Sequence, residues 1–455
     1  MPASAQSIGS VRFRELFGTD YAYYAGAMYK GIASKEMVIA LGQAKFLGFL
    51  GTGGLSRERV DADLAEIAAT LGPGAPFGAN LLHALGHPEI EEQMVDAFLR
   101  HGVRNVEASA FMSLTPAVVR YRCKGLTRMP DGSIDQPHRV IAKISRPEVA
   151  KVFMSPPPEK LLSKLIAEAA ITSEEAELAR RLPVASAVTV ESDSGGHTDQ
   201  GASFSQFPAI AAVNRRLQSE HHFAVAPLVG MAGGIGSPQA VAAAFVMGAD
   251  YVVTGSINQC SVEAGTSDGV KSILEKLDIQ DTTYAPAGDM FELGAKVQVV
   301  KKGTFFASRA NKLFDLYQNH SSIDEIDPKV IRQLEEKYFQ RPISEVWAET
   351  EAFYRRVAPE ALARAETSPK AKMSLIFRWY FTHSSRLALS GDADGRVDYQ
   401  IHCGPALGTF NQLVQGGALE RWQDRHVADV ALYLMQNAAE RLNEFFSQNA
   451  LSVPA

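Results

Sequence analysis

The chain has 455 residues, 46% of them hydrophobic, so it can bury a large core and is long enough for one large domain plus a second region. Its 45 basic and 51 acidic residues are intermixed and give a formal net charge of −6, which argues against nucleic acid as the main partner. The three widely spaced cysteines, Cys123, Cys260 and Cys403, argue against a disulfide framework and a metal site of the zinc-cage type. Neither a secretion signal nor a membrane-spanning stretch is recognisable, so we expect a cytoplasmic protein.

Short apolar segments alternate with helical patterns from about residue 20 to residue 260. The predicted strands are 47–51, 77–81, 105–109, 140–144, 187–191, 226–230 and 251–254. An additional strand near 23–28 would bring the number to eight, which closes a (β/α)₈ barrel, the α/β fold also called a TIM barrel. An open doubly wound sheet is the alternative. The proline run at 156–158 and two helical patterns after it are expected to decorate the barrel rim.

The strand predicted at 187–191 ends in acidic residues, two glycines and a histidine. Gly195 and Gly196 allow a tight turn and a close approach of the backbone to a flat ligand. His197 follows them, and because its side chain titrates near neutral pH it is a candidate for facing that ligand. A solvated histidine in an ordinary polar loop is the alternative.

The two strands predicted at 226–230 and 251–254 also end in glycine-rich loops. Ser237 is a plausible N-cap for a helix that begins at Pro238. In a (β/α)₈ barrel the loops after strands seven and eight commonly hold a phosphate, because their backbone N–H groups are exposed there. We therefore expect a phosphorylated cofactor, although the same glycines could serve as simple turns. The candidate residues are Gly233, Gly234, Gly255 and Ser256.

The pattern changes beyond residue 260. A loop is predicted at 284–291, mostly helical sequence at about 307–381, a further loop at 398–411 and an amphipathic helix at about 424–446. We predict two domains, a barrel at 1–290 and a mostly helical region at 291–455. The helical region could cover the barrel mouth and shape a substrate pocket. It could equally pack on the side of the barrel or form a homodimer face.

Several contiguous stretches carry a resemblance to a known family. Residues 191–199, 233–236 and 254–259 resemble signature blocks of the FMN-dependent nitronate monooxygenase and enoyl reductase superfamily. Within it the chain resembles the PfaD subgroup, the trans-acting enoyl reductases of polyunsaturated fatty acid and trans-acyltransferase polyketide synthases. The stretches that narrow the resemblance are 13–17, 26–34, 51–54, 284–291 and 403–405, and the whole likeness runs from about residue 11 to 446.

The resemblance implies an FMN-bound barrel with NADPH as the reductant and acyl chains on an acyl carrier protein as substrates. The backbones of Gly233, Gly234, Gly255 and Ser256 would clamp the phosphate, while Gly195, Gly196 and His197 would form the flavin-facing turn. His197 is then the first candidate catalytic residue, as proton donor or as stabiliser of an enolate. Alternatively, it positions the flavin and the proton comes from water.

Three further residues are candidates for flavin contact through the same resemblance. Asn80 lies at a strand end and has an amide that can donate and accept along the polar edge of the ring. An ordinary turn asparagine is the alternative. Ala27 and Met28 could pass their backbone against the flavin, although a core methionine is a common fate for such a residue.

Lys143 is a charged residue inside an otherwise apolar strand. Because burying an unpaired ammonium is costly, we expect it at the barrel mouth, where it could stabilise negative charge on the flavin as a catalytic and cofactor-binding residue. A salt bridge to Glu107 or Glu191 explains it nearly as well. Glu191 and Asp193 could also form a carboxylate pair for acid–base work, but hydrogen bonding to the turn is our preferred interpretation.

Three functions remain open from the sequence. The first is an NADPH-dependent flavin enoyl reductase that acts in trans on carrier-tethered intermediates within a polyketide or fatty acid synthase. The second is a nitronate monooxygenase, and the third is a flavin-binding assembly subunit without turnover. The long region after the barrel favours the first, because a reductase for bulky carrier-bound chains needs a covered channel and a docking surface.

Overall fold

The structure, a computed structural model, describes residues 2–450. These residues divide into two compact units. The first holds the chain up to Asp193, Gln200–Gly265 and the part from Thr409 onward, and the second holds Ser194–Asp199 and Thr266–Gly408. The predicted boundary at residue 290 is therefore not the boundary between the compact units.

The first unit is built around a closed barrel of eight strands in the described chain. In chain order these are β1 Tyr23–Ala25, β2 Leu47–Leu50, β3 Phe77–Leu82, β4 Asn105–Ser109, β5 Arg139–Ile144, β6 Ala187–Glu191, β7 Leu228–Ala232 and β8 Val252–Thr254. Each strand runs parallel to its neighbours in sequence, and β8 pairs with β1 with Val252 opposite Tyr23. The prediction of a (β/α)₈ barrel is confirmed, and the open doubly wound sheet is wrong.

Glycines in the strands make room for large rings in the barrel core. A Cβ on Gly78 would lie 2.3 Å from a ring carbon of Phe49, and one on Gly230 would lie 2.2 Å from the ring of Tyr251. Both rings belong to a buried cluster that also contains Phe13. Alternating small and large residues thus fill the barrel, as the limited space inside an eight-stranded barrel requires.

Helices surround the barrel in the usual alternation. Those of the first unit are Val11–Phe17, Lys35–Gln43, Arg57–Leu71, Pro88–Arg100, Pro116–Cys123, Pro147–Phe153, Glu159–Ala167, Ser173–Ala179, Ser203–His221, Pro238–Val246, Ser256–Gln259 and Val427–Ala450, with short 3₁₀ turns at Tyr29–Gly31 and Trp422–Asp424. A small hairpin joins Thr127–Arg128 to Ile134–Asp135. No helix in the described part of the chain is long and apolar enough to cross a bilayer.

The last helix, Val427–Ala450, belongs to the barrel. It packs against Lys35–Gln43 and Pro238–Val246, the helices that follow the first and seventh strands. This is the place of the eighth helix in a (β/α)₈ barrel. Residues 266–408 consequently lie between β8 and the final helix, whereas the sequence prediction assigned 291–455 to one helical region.

The second unit contains a small antiparallel sheet and several helices. Its strands, in order across the sheet, are Thr282–Pro286, Lys296–Val300 and Gly196–His197. Its helices are Asp268–Leu274, Phe306–Asn319, Pro328–Gln333, Ile343–Val357, Pro359–Thr367 and Pro369–Ser390, with 3₁₀ turns at Phe291–Leu293, Ile323–Glu325 and Arg396–Asp398 and a π-helical segment at Leu334–Phe339. Helix Ala406–Val414 contains the boundary between the units.

Two loop predictions in this region were partly wrong. The loop predicted at 284–291 begins inside the strand Thr282–Pro286, and the loop predicted at 398–411 gives way to a helix at Ala406. The mostly helical character predicted for 307–381 is confirmed. A buried aromatic cluster that includes Phe291, Phe306 and Tyr380 forms the core of this unit.

Candidate functional site

The glycine loops after β7 and β8 leave backbone open to a ligand. Gly233 and Gly234 have φ angles of +89° and +75°, in the left-handed region that favours glycine. A Cβ on Gly233 would lie 2.7 Å from the carbonyl carbon of Ser192, so the loops after β6 and β7 are in close contact. Among the described residues, apart from their own chain neighbours, no heavy atom lies within 4 Å of the Cβ positions of Gly234 and Gly255. These two glycines therefore border open space.

The surroundings of these loops suit an anion. The Ser237 side chain accepts a hydrogen bond from Ala240 N and caps the nine-residue helix Pro238–Val246, so the predicted N-cap is confirmed. Ser192 N donates to Ala232 O, and the buried Ser192 Oγ has no hydrogen-bond partner among the described residues. An orphaned buried hydroxyl beside open backbone and a helix N-terminus fits a phosphate group. Ser256, half-buried, follows Gly255 at the end of β8.

The loop after β1 brings Ala27 and Met28 against the neighbouring loops. Ala27 N donates a 3.0 Å hydrogen bond to Glu107 Oε2. Met28 is half-buried and extended, and a Cβ on Gly51 would lie only 1.8 Å from Met28 O. Only glycine fits at residue 51, because any side chain would collide with this carbonyl. The backbone of Ala27 and Met28 is thus held between Glu107 and Gly51. Its contact with a flavin stays a prediction.

Asn80 is buried near the end of β3. Its Nδ2 donates to Glu107 O at 3.0 Å and to Ser109 Oγ at 2.9 Å, while Thr52 Oγ1 donates to Asn80 O at 2.7 Å. The amide nitrogen is therefore engaged between β3 and β4. A ligand contact from this side chain would use the amide oxygen, which is a more specific expectation than the sequence allowed.

A hydrogen-bond network crosses the barrel interior. Tyr24 Oη donates to Glu107 Oε1 at 3.2 Å, and Thr189 Oγ1 lies 2.8 Å from Tyr24 Oη and 2.9 Å from Tyr251 Oη. All four side chains are fully buried, and burial raises the pKa of Glu107 and of both tyrosines. Sequence reasoning did not identify this network of Tyr24, Thr189 and Tyr251. The signal in the sequence was a hydroxyl-bearing side chain in each of three otherwise apolar predicted strands.

Lys143 forms a salt bridge from β5 to β6. Its Nζ lies 2.9 Å from Glu191 Oε1. Burial opposes the charged form, but Glu191 and Glu107 outweigh it and raise the pKa of Lys143 above its usual value. Of the alternatives left open by the sequence, the structure shows the pairing with Glu191. Asp193 N donates to Gly201 O, so the backbone at this residue is part of the turn.

The remaining candidates, Gly195, Gly196 and His197, lie in the second unit. Gly196 has a φ angle of +85°, and His197 pairs with Val297 on the strand Lys296–Val300. The His197 side chain is half-exposed, and its Nε2 lies 2.9 Å from Asp289 Oδ1. Asp289 was not identified from the sequence, although it lies in a stretch that carried the family resemblance.

Each unit holds part of the candidate chemistry. In the barrel unit, open backbone lies in the loops after β7 and β8. Ala27 N and Asn80 Nδ2 donate hydrogen bonds to Glu107, and the charge of Glu107 contributes to the raised pKa of Lys143. In the second unit, an imidazole is paired with a carboxylate. The role of each group toward a cofactor stays a prediction.

Comparison with known proteins identifies the family. Residues 11–299 match the nitronate monooxygenase family, and residues 320–399 match the inserted helical domain of [acyl-carrier-protein] S-malonyltransferase. The chain is 52% identical to the polyketide biosynthesis protein PksE of Bacillus subtilis (strain 168), over 97% of this chain and 57% of PksE. It is 47% identical to a component of the polyunsaturated fatty acid synthase of Thraustochytrium sp., over 92% of this chain and 28% of that component.

Among solved structures, the enoyl reductase domain of MlnA, from the macrolactin biosynthesis cluster of Bacillus amyloliquefaciens, superposes with a TM-score of 0.93. The two are 41% identical, and the match covers 98% of this chain and 99% of the MlnA domain. By contrast, the chain spans little more than half of PksE and a smaller part of the Thraustochytrium protein. The chain belongs to the nitronate monooxygenase family, and its similarity within that family is to proteins of polyketide and polyunsaturated fatty acid synthases and to an enoyl reductase domain.

Proposed function

We propose that the protein is an FMN-dependent enoyl reductase that acts in trans on enoyl thioesters tethered to an acyl carrier protein, with NADPH as the hydride source. The end-to-end likeness to the enoyl reductase domain of MlnA carries this proposal, because it includes the insertion as well as the barrel. The likeness to synthase proteins supports a role in polyketide or fatty acid biosynthesis.

The barrel residues fit FMN. The backbones of Gly233, Gly234 and Gly255 would receive the phosphate, together with Ser256 and the unpartnered hydroxyl of Ser192. Asn80, Ala27 and Met28 would contact the ring. When bound, FMN supplies the hydride-transfer chemistry between NADPH and the enoyl thioester.

Two charged groups would support the chemistry. Lys143 stays protonated at neutral pH, because Glu191 and Glu107 raise its pKa, and its charge is suited to a ligand that accumulates negative charge. His197 would give a proton to Cα of the substrate after hydride addition at Cβ, which completes the saturated thioester. The proton on the imidazole would then be replaced from solvent.

The first experiment is anaerobic stopped-flow spectroscopy on the purified protein. We expect NADPH to bleach the flavin absorbance and a crotonyl thioester on an acyl carrier protein to restore it rapidly. Reoxidation by an alkyl nitronate with oxygen, and not by the enoyl thioester, would move the assignment to a nitronate monooxygenase, the activity named by the family that matches residues 11–299. Bleaching without reoxidation by either would indicate a flavin-binding synthase subunit, and a colourless protein would contradict the flavin proposal.

A matched pair of glycine substitutions tests the phosphate site separately. Gly234 and Gly74 have φ angles of +75° and +78°, and within the described part of the chain neither Cβ position has a heavy atom within 4 Å other than those of its chain neighbours. Gly74 precedes β3, at the opposite end of the strands from the proposed site. The two alanine variants should therefore carry similar backbone strain, but only Gly234→Ala should weaken FMN binding, by about tenfold or more. Equal FMN content and affinity in both variants would remove the phosphate assignment.

A further inference from the structure

The second unit joins two sequence stretches that the proposed chemistry leaves without a role. Asp289 lies in the stretch 284–291, and His402 immediately precedes Cys403-Gly-Pro405. The strand Lys296–Val300 connects them to the catalytic candidate, since Val297 pairs with His197 and Val299 pairs with His402. His197 and His402 thus lie along one edge of this strand, and the strand Thr282–Pro286, which leads to Asp289, pairs with its other edge.

Asp289 contacts the imidazole directly. Its Oδ1 lies 2.9 Å from His197 Nε2, within hydrogen-bonding distance. Burial alone would raise the pKa of Asp289, but the hydrogen bond and charge of His197, together with the charge of His402, hold it below its usual value. An ionised Asp289 carboxylate accepts a hydrogen bond from His197 Nε2–H, and its negative charge favours the protonated imidazole.

His402 and its neighbours hold the backbone from which His197 projects. The Nδ1 atom of His402 lies 3.5 Å from where a Cβ of Gly196 would be, and the φ angle of +85° at Gly196 already disfavours a side chain. Gln400 Nε2 and His402 Nε2 are 2.8 Å apart, which orients the His402 ring. A Cβ on Gly404 would likewise lie 3.0 Å from Gly195 N. The glycines before His197 are therefore closely packed against the 400–404 segment.

We propose that Asp289 is a positioning residue that orients His197 through Nε2 and stabilises its imidazolium form. This inference rests on the proposed function, because it assumes that His197 delivers the proton to Cα. Nδ1 is then the ring nitrogen that gives up the proton, leaving a neutral imidazole that keeps its Nε2–H on Asp289. The carboxylate remains ionised throughout, and solvent returns the proton to Nδ1.

The charged groups around His197 determine whether its pKa should rise or fall when Asp289 is replaced. The titratable or charged groups near His197 include Asp289 and His402, the exposed Lys296, whose backbone oxygen accepts from Thr198 N, and the exposed Asp199, two residues further along the chain. Of these groups, Asp289 is the carboxylate that lies within hydrogen-bonding distance of the His197 ring. Removing its charge should therefore lower the pKa of His197.

The test is a histidine NMR titration of the full-length protein, with the His197 signal assigned from the His197→Gln variant. We expect Asp289→Asn to lower the pKa of His197 by about half a unit or more, the size appropriate to a half-exposed ion pair. Asp289→Glu should restore much of the shift. Asp315→Asn is the matched control, because it removes an exposed carboxylate of the same unit on helix Phe306–Asn319 and should leave the titration unchanged.

Steady-state kinetics with the enoyl thioester complete the test. We expect Asp289→Asn to lower kcat about fivefold or more, with a smaller change in KM and a pH profile displaced to lower pH. An unchanged His197 pKa in Asp289→Asn, alongside a strong kcat loss in His197→Gln, would overturn the positioning role and leave the reductase assignment intact. Full turnover by His197→Gln would overturn both the donor role of His197 and the inference, whereas an absence of enoyl reduction by the parent protein would refute the proposed function itself.

Discussion

The two units treat a carboxylate near the proposed chemistry in opposite ways. Glu107 in the barrel is fully buried, and burial raises its pKa despite nearby Lys143 and hydrogen bonds from Ala27 N and Tyr24. The Asp289 side chain in the second unit is 64% exposed, and although burial alone would raise its pKa, the hydrogen bond with His197 and the charges of His197 and His402 together outweigh burial and lower it. Desolvation therefore dominates inside the barrel, while direct partners dominate in the second unit.

The two carboxylates should therefore differ in what their removal changes. Glu107 accepts hydrogen bonds from the buried Tyr24 Oη and from the backbone N–H of the half-buried Ala27, and both are lost if the carboxylate is removed. His197 and Asp289 can both reach water, so either can lose its partner at modest cost. We therefore expect substitutions in the barrel network to affect stability strongly, and substitutions in the His197–Asp289 pair to affect proton chemistry with little loss of stability.

The largest effect is expected from Glu107→Ala. It removes the acceptor for Ala27 N and Tyr24 Oη in a buried site, which should lower the free energy of unfolding by about 3 kcal/mol. Urea denaturation at neutral pH measures the change. Glu107→Gln keeps an acceptor of similar shape and serves as the control, with a smaller loss. A change below about 1 kcal/mol in Glu107→Ala would contradict the contrast between the units.

The pH dependence of stability offers a second test of the same carboxylate. A carboxyl whose pKa is higher in the folded state binds its proton more tightly there, so its favourable contribution is present below its unfolded pKa and is lost as the pH rises through the folded pKa. Glu107→Gln should remove this loss. Urea unfolding at a series of pH values above 4 should show the parent losing stability relative to the variant, and parallel curves would contradict the raised pKa.

Lys143→Met should have an intermediate effect. The Lys143 side chain is 16% exposed and that of Glu191 is 29% exposed, so breaking their salt bridge should cost about 1 kcal/mol. Because the pKa of Lys143 is raised, its contribution is complete below the usual lysine pKa and is lost only as the pH rises through the higher folded value. A double-mutant cycle with Glu191→Gln measures the coupling, and additive losses would show that the pair contributes nothing.

The smallest effect on stability is expected from Asp289→Ala. Both members of its hydrogen-bonded pair are at least half-exposed, so the free energy of unfolding should change by less than about 0.5 kcal/mol. Thermal and urea unfolding measure it, with Asp315→Ala as a surface control on the same unit. A loss comparable to that of Glu107→Ala would show that Asp289 is part of the folding core and would remove the distinction drawn between the units.

The alternation of strands and helices was predictable from the sequence because it depends on local patterns. All eight barrel strands fall within a few residues of the predicted segments, and the Ser237 N-cap is where the sequence indicated it. The strand Thr282–Pro286 was missed because its proline and the following Ala-Gly favour a turn. It pairs in the described sheet only with Lys296–Val300, and a proline is tolerated on such an edge strand.

The candidate site was predictable only in part. The glycine loops could be found because glycines at two consecutive strand ends form a local pattern, and Lys143 was conspicuous as a charge in an apolar strand. The choice of Glu191 over Glu107 as its salt-bridge partner required coordinates, because both are within range of the same ammonium. Asp289 gave no signal by itself, since an acidic residue in a loop is usually solvated.

The sequence by itself determined the class of fold, the family and the glycine loops, since each depends on neighbouring residues or on long contiguous stretches. The tertiary structure decided which distant groups meet. Closure of the barrel joins Tyr24 to Thr189 across 165 residues of sequence, and the final helix completes the barrel after an insertion of more than a hundred residues. Periodicity shows that a face is apolar but not what covers it, and hydrogen bonds between strands distant in sequence leave no periodic trace.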